Sequence, residues 1–182
     1  AIDRAALVEE VLGGDATDVD GFYAWMRELW PDALSAVGAV DTALWDLRAR
    51  ASGRSLAGVL GPDSRSSVLA YAAGGYYTEG RVDRGQQLAA DAEAYVAQGF
   101  RAVKVNIGRL SVAEDAAALR RLRAAVGPDV RVLTDANEGY GDDLKQALEM
   151  AETLSDIDAY WFEEPLSTDH PELYARLRAS IP

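Results

Sequence analysis

AVKVNIGRLSVAEDAAALRRLRAAVGPDVRVLTDAN, residues 102–137, is the stretch that decides the fold. It opens with a short apolar run, Ala102 to Ile107, and closes with a second, Val130 to Thr134. Both are rich in β-branched residues and read as strands. Between them Ser111-Val-Ala-Glu114 has the pattern of a capping box, and Gly127-Pro128 is a stop, predicting a helix from Ser111 to Val126. A strand, a helix and a strand in so short a span imply a right-handed βαβ unit with parallel strands.

The same alternation continues on both sides at a period of about thirty residues. Val68 to Ala72 reads as the first strand and Asp83 to Gln98 as a helix with Leu88, Ala92, Tyr95 and Val96 apolar, closed by Gly99. Asp142 to Leu154 reads as a helix, Tyr160 to Phe162 as the fourth strand, and Pro171 opens a further helix at a favoured position. Four such units form half of an eight-fold barrel, or most of an open doubly wound sheet. A dinucleotide-binding open sheet wants a Gly-rich turn after its first strand. Gly74-Gly75 stand there without G-x-G-x-x-G, and Tyr76-Tyr77 would crowd a pyrophosphate. The barrel is favoured: an α/β chain carrying about the first four units of a (β/α)8, TIM-type barrel, with its site at the C-terminal strand ends.

Upstream the pattern is helical. Arg4 to Leu12 has helical spacing and ends at Gly13-Gly14. Pro31 to Ala51 carries Leu34, Val37, Val40, Leu44 and Leu47 on one stripe, widened by Ala33, Ala36, Ala39 and Ala43, which predicts a helix buried on most sides. Leu56 to Leu60 is a short helical turn, and Gly61-Pro62 is the expected boundary between a helical segment, residues 1–61, and the barrel segment, residues 62–182. The chain starts without Met inside one helical pattern and stops at Ile181-Pro182 after another, so it reads as a segment of a longer polypeptide.

Of the 182 residues, 49% are hydrophobic and 26% charged, which allows a real core and argues against disorder. The net charge of −12 argues against nucleic acid and anionic lipid as partners, since both would be repelled. No cysteine is present, so any cation must be held by oxygen or by His170, and carboxylates suit Mg²⁺, Mn²⁺ or Ca²⁺. No apolar run approaches membrane-spanning length and no leader pattern opens the chain, so a cytoplasmic protein without membrane contact is expected.

The chemistry sits at the strand ends. Asp135 follows the third strand as either a turn residue or a cation ligand, with Asn137 and Glu138 as further oxygen donors. Glu163 and Glu164 follow Trp161-Phe162 and precede Pro165; two adjacent acids there are either a surface pair or charges compensated by cations. Lys104 shares one face of its strand with Asn106, while Val103 and Val105 share the other. It is either paired structurally with a neighbouring acid or aimed into the barrel mouth, to bind a substrate carboxylate or act as a base. A cation beside an ammonium suits removal of a proton α to a carboxylate, because both stabilise the enediolate that forms. Tyr76 and Tyr77 either line a pocket or pack within their loop, and His170 reads as a loop or cap residue.

At these residues the chain resembles the mandelate racemase/muconate lactonizing enzyme group of the enolase superfamily. Ser35 to Asp46 resembles the helix that leads from that family's capping domain into its barrel. Val103-Lys-Val-Asn-Ile-Gly108 resembles its Lys-x-Lys strand, and Asp135-Ala-Asn137 and Glu163-Glu-Pro165 resemble its first two metal-ligand motifs. The resemblance implies that residues 1–61 are the helical part of an α+β capping domain. It implies that Asp135 and Glu163 are Mg²⁺ ligands, with Mn²⁺ as a substitute and a third acid on a strand beyond Pro182. Lys104 and Asn106 would be the catalytic pair, Asn137 would contact substrate, and Glu164 would support Lys104 from behind it. The superfamily uses a Lys or His base with Mg²⁺. Asn106 departs from the pattern, standing where members carry a second lysine, and an amide takes no proton. That moves the expectation from racemisation toward a sugar-acid dehydratase whose base lies on later strands. Lys104 is then mainly an electrophile for the carboxylate, and Asn106 a hydrogen-bonding partner for a substrate hydroxyl. A racemase, epimerase or cycloisomerase of the same superfamily, and a non-catalytic relative serving as a ligand-binding or oligomeric scaffold, are the rival readings. The expected partners are a small-molecule carboxylate and, for a full-length protein, further copies of itself.

Overall fold

The structure, a computed structural model, describes residues 14–61, 65, 67–77 and 83–181. The helix expected over Arg4–Leu12 lies outside the described residues. The chain divides into two compact units, Ala1–Val68 and Leu69–Pro182. No helix among the described residues is long and apolar enough to cross a membrane.

In the first unit, α1 (Val19–Leu29) packs on α2 (Leu34–Ala51), and α3 (Leu56–Leu60) follows. Sequence reading overlooked α1, although its signals are present. Asp18 caps it by accepting from the Gly21 amide at 3.1 Å, and Val19, Phe22 and Met26 share one face. Val19 and Met26 meet Val37 and Leu44 of α2 in a small core, flanked by Trp25 and Trp30 in edge-to-face contact. Two expectations for α2 are corrected. It starts at Leu34, because Pro31 sits in a turn closed by the Ala33 amide on the Trp30 carbonyl, where its fixed φ is equally at home. It also buries a narrow stripe rather than most sides: Val37 and Leu44 are covered, whereas Leu34 and Leu47 are about half exposed.

The second unit follows the order β1 (Ala72–Gly74), α4 (Arg84–Ala97), β2 (Ala102–Asn106), α5 (Val112–Val126), β3 (Arg131–Asp135), α6 (Leu144–Asp156), β4 (Trp161–Glu163) and α7 (Pro171–Ser180). Short polar side chains start the helices. Asp83 accepts from the Gln86 amide, Ser111 and Glu114 complete the capping box, and Asp143 accepts from the amides of Lys145 and Gln146. β1 lies downstream of the predicted Val68–Ala72. Pairing sets its place, since Ala72 and Gly74 align with Val103 and Val105, while Val68 and Leu69 are almost fully exposed.

All four strands are parallel, in the spatial order β1-β2-β3-β4. Right-handed crossovers that never reverse direction put every helix on one face of the sheet, as in a barrel and unlike a doubly wound sheet. Val103, Val105 and Val132 face that helical layer with Leu88, Leu119, Leu122 and Met150. The other face is concave. Tyr71, just before β1, and Trp161, at the start of β4, touch edge to face with ring centroids 5.6 Å apart. In a flat sheet, strands three places apart stand about 14 Å from each other, so this contact requires the four strands to curl. The fold is therefore the curved, parallel half of a TIM-type barrel, and its concave face carries Lys104, Leu133 and Trp161 in one row.

Leu122→Ala should lower unfolding free energy by about 2–5 kcal/mol, and Ser111→Ala by about 1 kcal/mol, both measured by urea denaturation. A Leu122→Ala cost below that of Ser111→Ala would contradict the core described here.

Candidate active site

β-strand alternation and register bring the site together. Asn106, Asp135 and Glu163 are partners in a single row across β2, β3 and β4, at the C-terminal ends of the strands. Lys104 points to the same face from two residues below Asn106. Its Nζ lies 2.8 Å from Asp135 Oδ2 and 2.8 Å from Glu163 Oε2. Desolvation opposes the charge on Lys104, but hydrogen bonds and coulombic attraction to Asp135 and Glu163 outweigh it and hold the ammonium above its ordinary range. The structural pairing and the mouth-facing orientation, alternatives by sequence, are both present: the paired acids are the strand-end acids themselves.

The segments past the strands are held as firmly as the strands. The Ile107 amide donates to the Asp135 carbonyl at 2.8 Å, Ala136 to Glu163 at 2.9 Å and Glu138 to Glu164 at 2.8 Å, which extends the ladder beyond its regular part. Three non-glycine residues here adopt left-handed φ: Asn137 at 44°, Glu138 at 58° and Glu164 at 41°. Such conformations cost about 1–3 kcal/mol each outside glycine, and cluster at sites whose geometry is over-determined. Gly139 allows the close approach of two loops, since a Cβ there would stand 2.5 Å from the Gly108 carbonyl oxygen. Asn137 donates to Asp135 Oδ1 through its backbone amide at 2.9 Å and its side-chain Nδ2 at 2.7 Å, and accepts from Asn106 Nδ2 at 2.8 Å.

Thus the structure joins Lys104, Asn106, Asp135, Asn137 and Glu163 in one connected cluster. Glu164 follows Glu163 but makes no ion pair with Lys104 among the described residues; the two partners of Lys104 are Asp135 and Glu163. Glu138 binds Thr168 instead, accepting from its hydroxyl at 2.6 Å. The Tyr76 side chain is exposed, and only its carbonyl is engaged, by Arg84 and Gln87. His170 precedes α7 beside Glu172 and Asp142, as a residue at a helix start.

Sequence reading missed a network beneath this cluster. Asp115 is buried in the first turn of α5, where it accepts from the Gly108 amide at 2.7 Å and from the Tyr77 hydroxyl at 3.1 Å. Arg84 stacks on the Tyr77 ring and donates to the carbonyls of Gly75 at 2.6 Å and Asn106 at 2.7 Å. It thereby ties the loop after β1 to the end of β2. The signal was Asp115 itself, an acid on the same helical stripe as Val112 and Leu119. Burial raises the Asp115 carboxyl above its ordinary range.

The residues present fit a divalent cation. Asp135 and Glu163 are neighbours in one row with an oxygen of each within 2.8 Å of the Lys104 ammonium, and carboxylate oxygens are donors that suit a hard ion. No group of three or more acidic or histidine side chains that could hold a metal occurs among the described residues. A cavity of about 650 Å³ lies elsewhere: Leu154, Trp161, Phe162, Tyr174 and Leu177 help to line it, and none of the strand-end acids does.

Comparison with known proteins places this geometry. Residues 87–182, more than half the chain, match the family model described as enolase C-terminal domain-like, and residues 1–61 match the mandelate racemase/muconate lactonizing enzyme N-terminal domain. The chain belongs to the mandelate racemase/muconate lactonizing enzyme family. Within this family it is 40% identical over 150 residues to arabinonate dehydratase of Saccharolobus solfataricus, covering 82% of this chain and 39% of that protein. The crystal structure of a 3,6-anhydro-D-galactonate cycloisomerase from Zobellia galactanivorans superposes with a TM-score of 0.79 at 30% identity, covering 93% of this chain and 47% of that one. A family member from a marine actinobacterium, in complex with magnesium, superposes with a TM-score of 0.73 at 30% identity, covering 93% and 49%. The chain spans less than half the length of each. Membership of the superfamily implies a divalent metal.

Tyr77 supplies a pH test of the buried network. Burial is the main cause that pushes its phenol up to about 12; the Arg109 amide opposes the shift and the Asp115 charge adds to it. An unfolded tyrosine ionises near about 10. A raised folded value means that the contribution to stability is intact below about pH 10 and is lost as pH rises toward 12. Circular dichroism between pH 10 and 12 should therefore show a steeper loss of structure in the parent than in Tyr77→Phe; equal slopes would exclude the network from alkaline unfolding.

Proposed function

We propose that the strand-end cluster stabilises the enediolate formed when the proton α to the carboxylate of a hydroxy acid is removed, and that the substrate is a sugar acid, which then loses water. One observation carries the reading. Asp135 and Glu163 stand side by side at the strand ends on the concave face, with the Lys104 ammonium 2.8 Å from an oxygen of each. Asp135 and Glu163 would hold Mg²⁺, for which Mn²⁺ can substitute, and a third acid comes from outside the described residues. When bound, the cation supplies Lewis-acid stabilisation for negative charge on the substrate carboxylate.

The chain's own residues set the rest of the chemistry. In this reading the Lys104 ammonium, beside both proposed ligands, donates hydrogen bonds to the substrate carboxylate and is not the base. That charge-assisted contact strengthens as the α-proton leaves and the carboxylate becomes an enediolate. Asn106 cannot accept the proton either, so the base belongs to a part of the whole protein outside the described residues. Departure of hydroxide from C3, with a proton, then gives an enol that tautomerises to a 2-keto acid. The likeness to arabinonate dehydratase supports water loss as the second step. The likeness to a 3,6-anhydro-D-galactonate cycloisomerase supports a second reading with the same first step, in which a ring oxygen is the group expelled. Either reading suits a cytoplasmic enzyme of small carboxylic acids.

A panel of aldonic and aldaric acids, incubated in D₂O with the protein carrying the remaining barrel strands, tests the proposal. A 2-keto acid should form from at least one of them, with kcat lowered about 100–1,000-fold by Lys104→Met. Deuterium at Cα with inverted configuration and no water loss would replace dehydration by racemisation. Absence of both exchange and turnover on every acid would sink enediolate chemistry.

A further inference from the structure

Asn106 was expected to meet a substrate hydroxyl. Its side-chain amide is also engaged with Asn137, and the polarity of that contact is forced. An ionised Asp135 carboxylate can only accept hydrogen bonds. Its Oδ1 lies 2.7 Å from the Asn137 side-chain nitrogen and 2.9 Å from the Asn137 backbone nitrogen, so both must donate to it. With its NH₂ committed to Asp135, Asn137 can present only its carbonyl oxygen to Asn106, 2.8 Å away. Asn106 must then donate. The chain of donors runs in one direction, from Asn106 through Asn137 to Asp135 Oδ1, and leaves Oδ2 as the oxygen turned toward Lys104 Nζ.

From this we infer that Asn106 and Asn137 are positioning residues that act through Asp135, fixing which of its oxygens faces the proposed cation. The inference rests on the metal reading of Asp135. Register supports it: Asn106 and Asp135 are Cα partners on neighbouring strands, so the two residues rise side by side while their side chains are joined through Asn137. Backbone geometry supports it too. Asn137 holds a left-handed φ of 44°, which turns both its amides back onto the carboxylate two residues earlier. The Arg84 guanidinium, bonded to the Asn106 carbonyl, anchors the first member of the chain. A lysine in place of Asn106 would bring a flexible ammonium, whereas the amide brings a planar donor without charge.

The decisive substitution is Asn106→Asp, which keeps the shape and reverses the polarity. Its oxygen would face the Asn137 carbonyl, so the Asn137 amide must rotate and present its own oxygen to Asp135 Oδ1. Added negative charge by itself would tighten cation binding, whereas a broken relay weakens it, so the sign separates the two effects. In calorimetric titration with Mn²⁺, Asn106→Asp should raise the dissociation constant about tenfold or more, and Asn106→Ala by less. An unchanged or lower constant in Asn106→Asp overturns the relay. A second measurement needs no metal. The scalar coupling across the hydrogen bond from Asn137 Nδ2 to the Asp135 carboxyl carbon should be present in the unaltered protein and lost in Asn106→Asp. Its persistence in Asn106→Asp also overturns the relay. Failure of the unaltered protein to bind Mn²⁺, with the coupling behaving as described, overturns the metal reading and leaves the relay standing.

Discussion

One ammonium between two carboxylates is the interaction on which the rest of this half-barrel depends. Asp135 and Glu163 are neighbours in one row of the sheet, and two like charges so placed repel each other in a partly desolvated setting. Lys104 compensates both at 2.8 Å. It reaches them because β2 lies in one register and no other. Val103 and Val105 are buried under the helices, so a slip of one residue would expose them and push Lys104 into the apolar layer. The hydrophobic face of β2 therefore sets the position of the charged one. Packing on one side of the sheet and electrostatics on the other enforce the same alignment.

Much of this was legible from residue order alone, for physical reasons. Helix starts could be read because Asp83, Ser111 and Asp143 satisfy backbone amides that have no partner within the helix. The common placement of Lys104, Asp135 and Glu163 followed from a strict two-residue alternation and a regular repeat. What could not be read depends on contacts distant in sequence. Apolarity suggested Val68 to Ala72 as the first strand, yet the observed β1 is built from Ala72 to Gly74, where β2 offers partners. The aromatic-rich α1 carries a glycine in its first turn, which obscured a helix that its capping Asp18 and its packing on α2 stabilise. The Arg84–Tyr77–Asp115 network links residues far apart in the chain, and an acid in a first helical turn reads most simply as a partner for the helix dipole.

The site also shows why a motif underdetermines a role. The family resemblance implies a ligand at Asp135 and a substrate contact at Asn137, and a hydroxyl partner is the expectation for Asn106. In the folded chain both amides are already engaged with the protein. One donor of each is used in a chain that ends on a carboxylate, and Asn137 makes its contacts from a left-handed turn. An amide at position 106 is therefore more than the loss of a second lysine.

The contact between Tyr71 and Trp161 has a consequence for how a closed barrel arises. Two rings that meet across the hollow act as an internal brace, so the arc of the sheet is sustained by its own side chains. Curvature is then a property of the half rather than something imposed by the last strand snapping shut. Any further strand that pairs along the free edge of β4 meets a ledge already bent to the radius it must follow. Closure becomes a matter of completing a circle whose first half is drawn, and little of the strain of bending is left to the strands that arrive last.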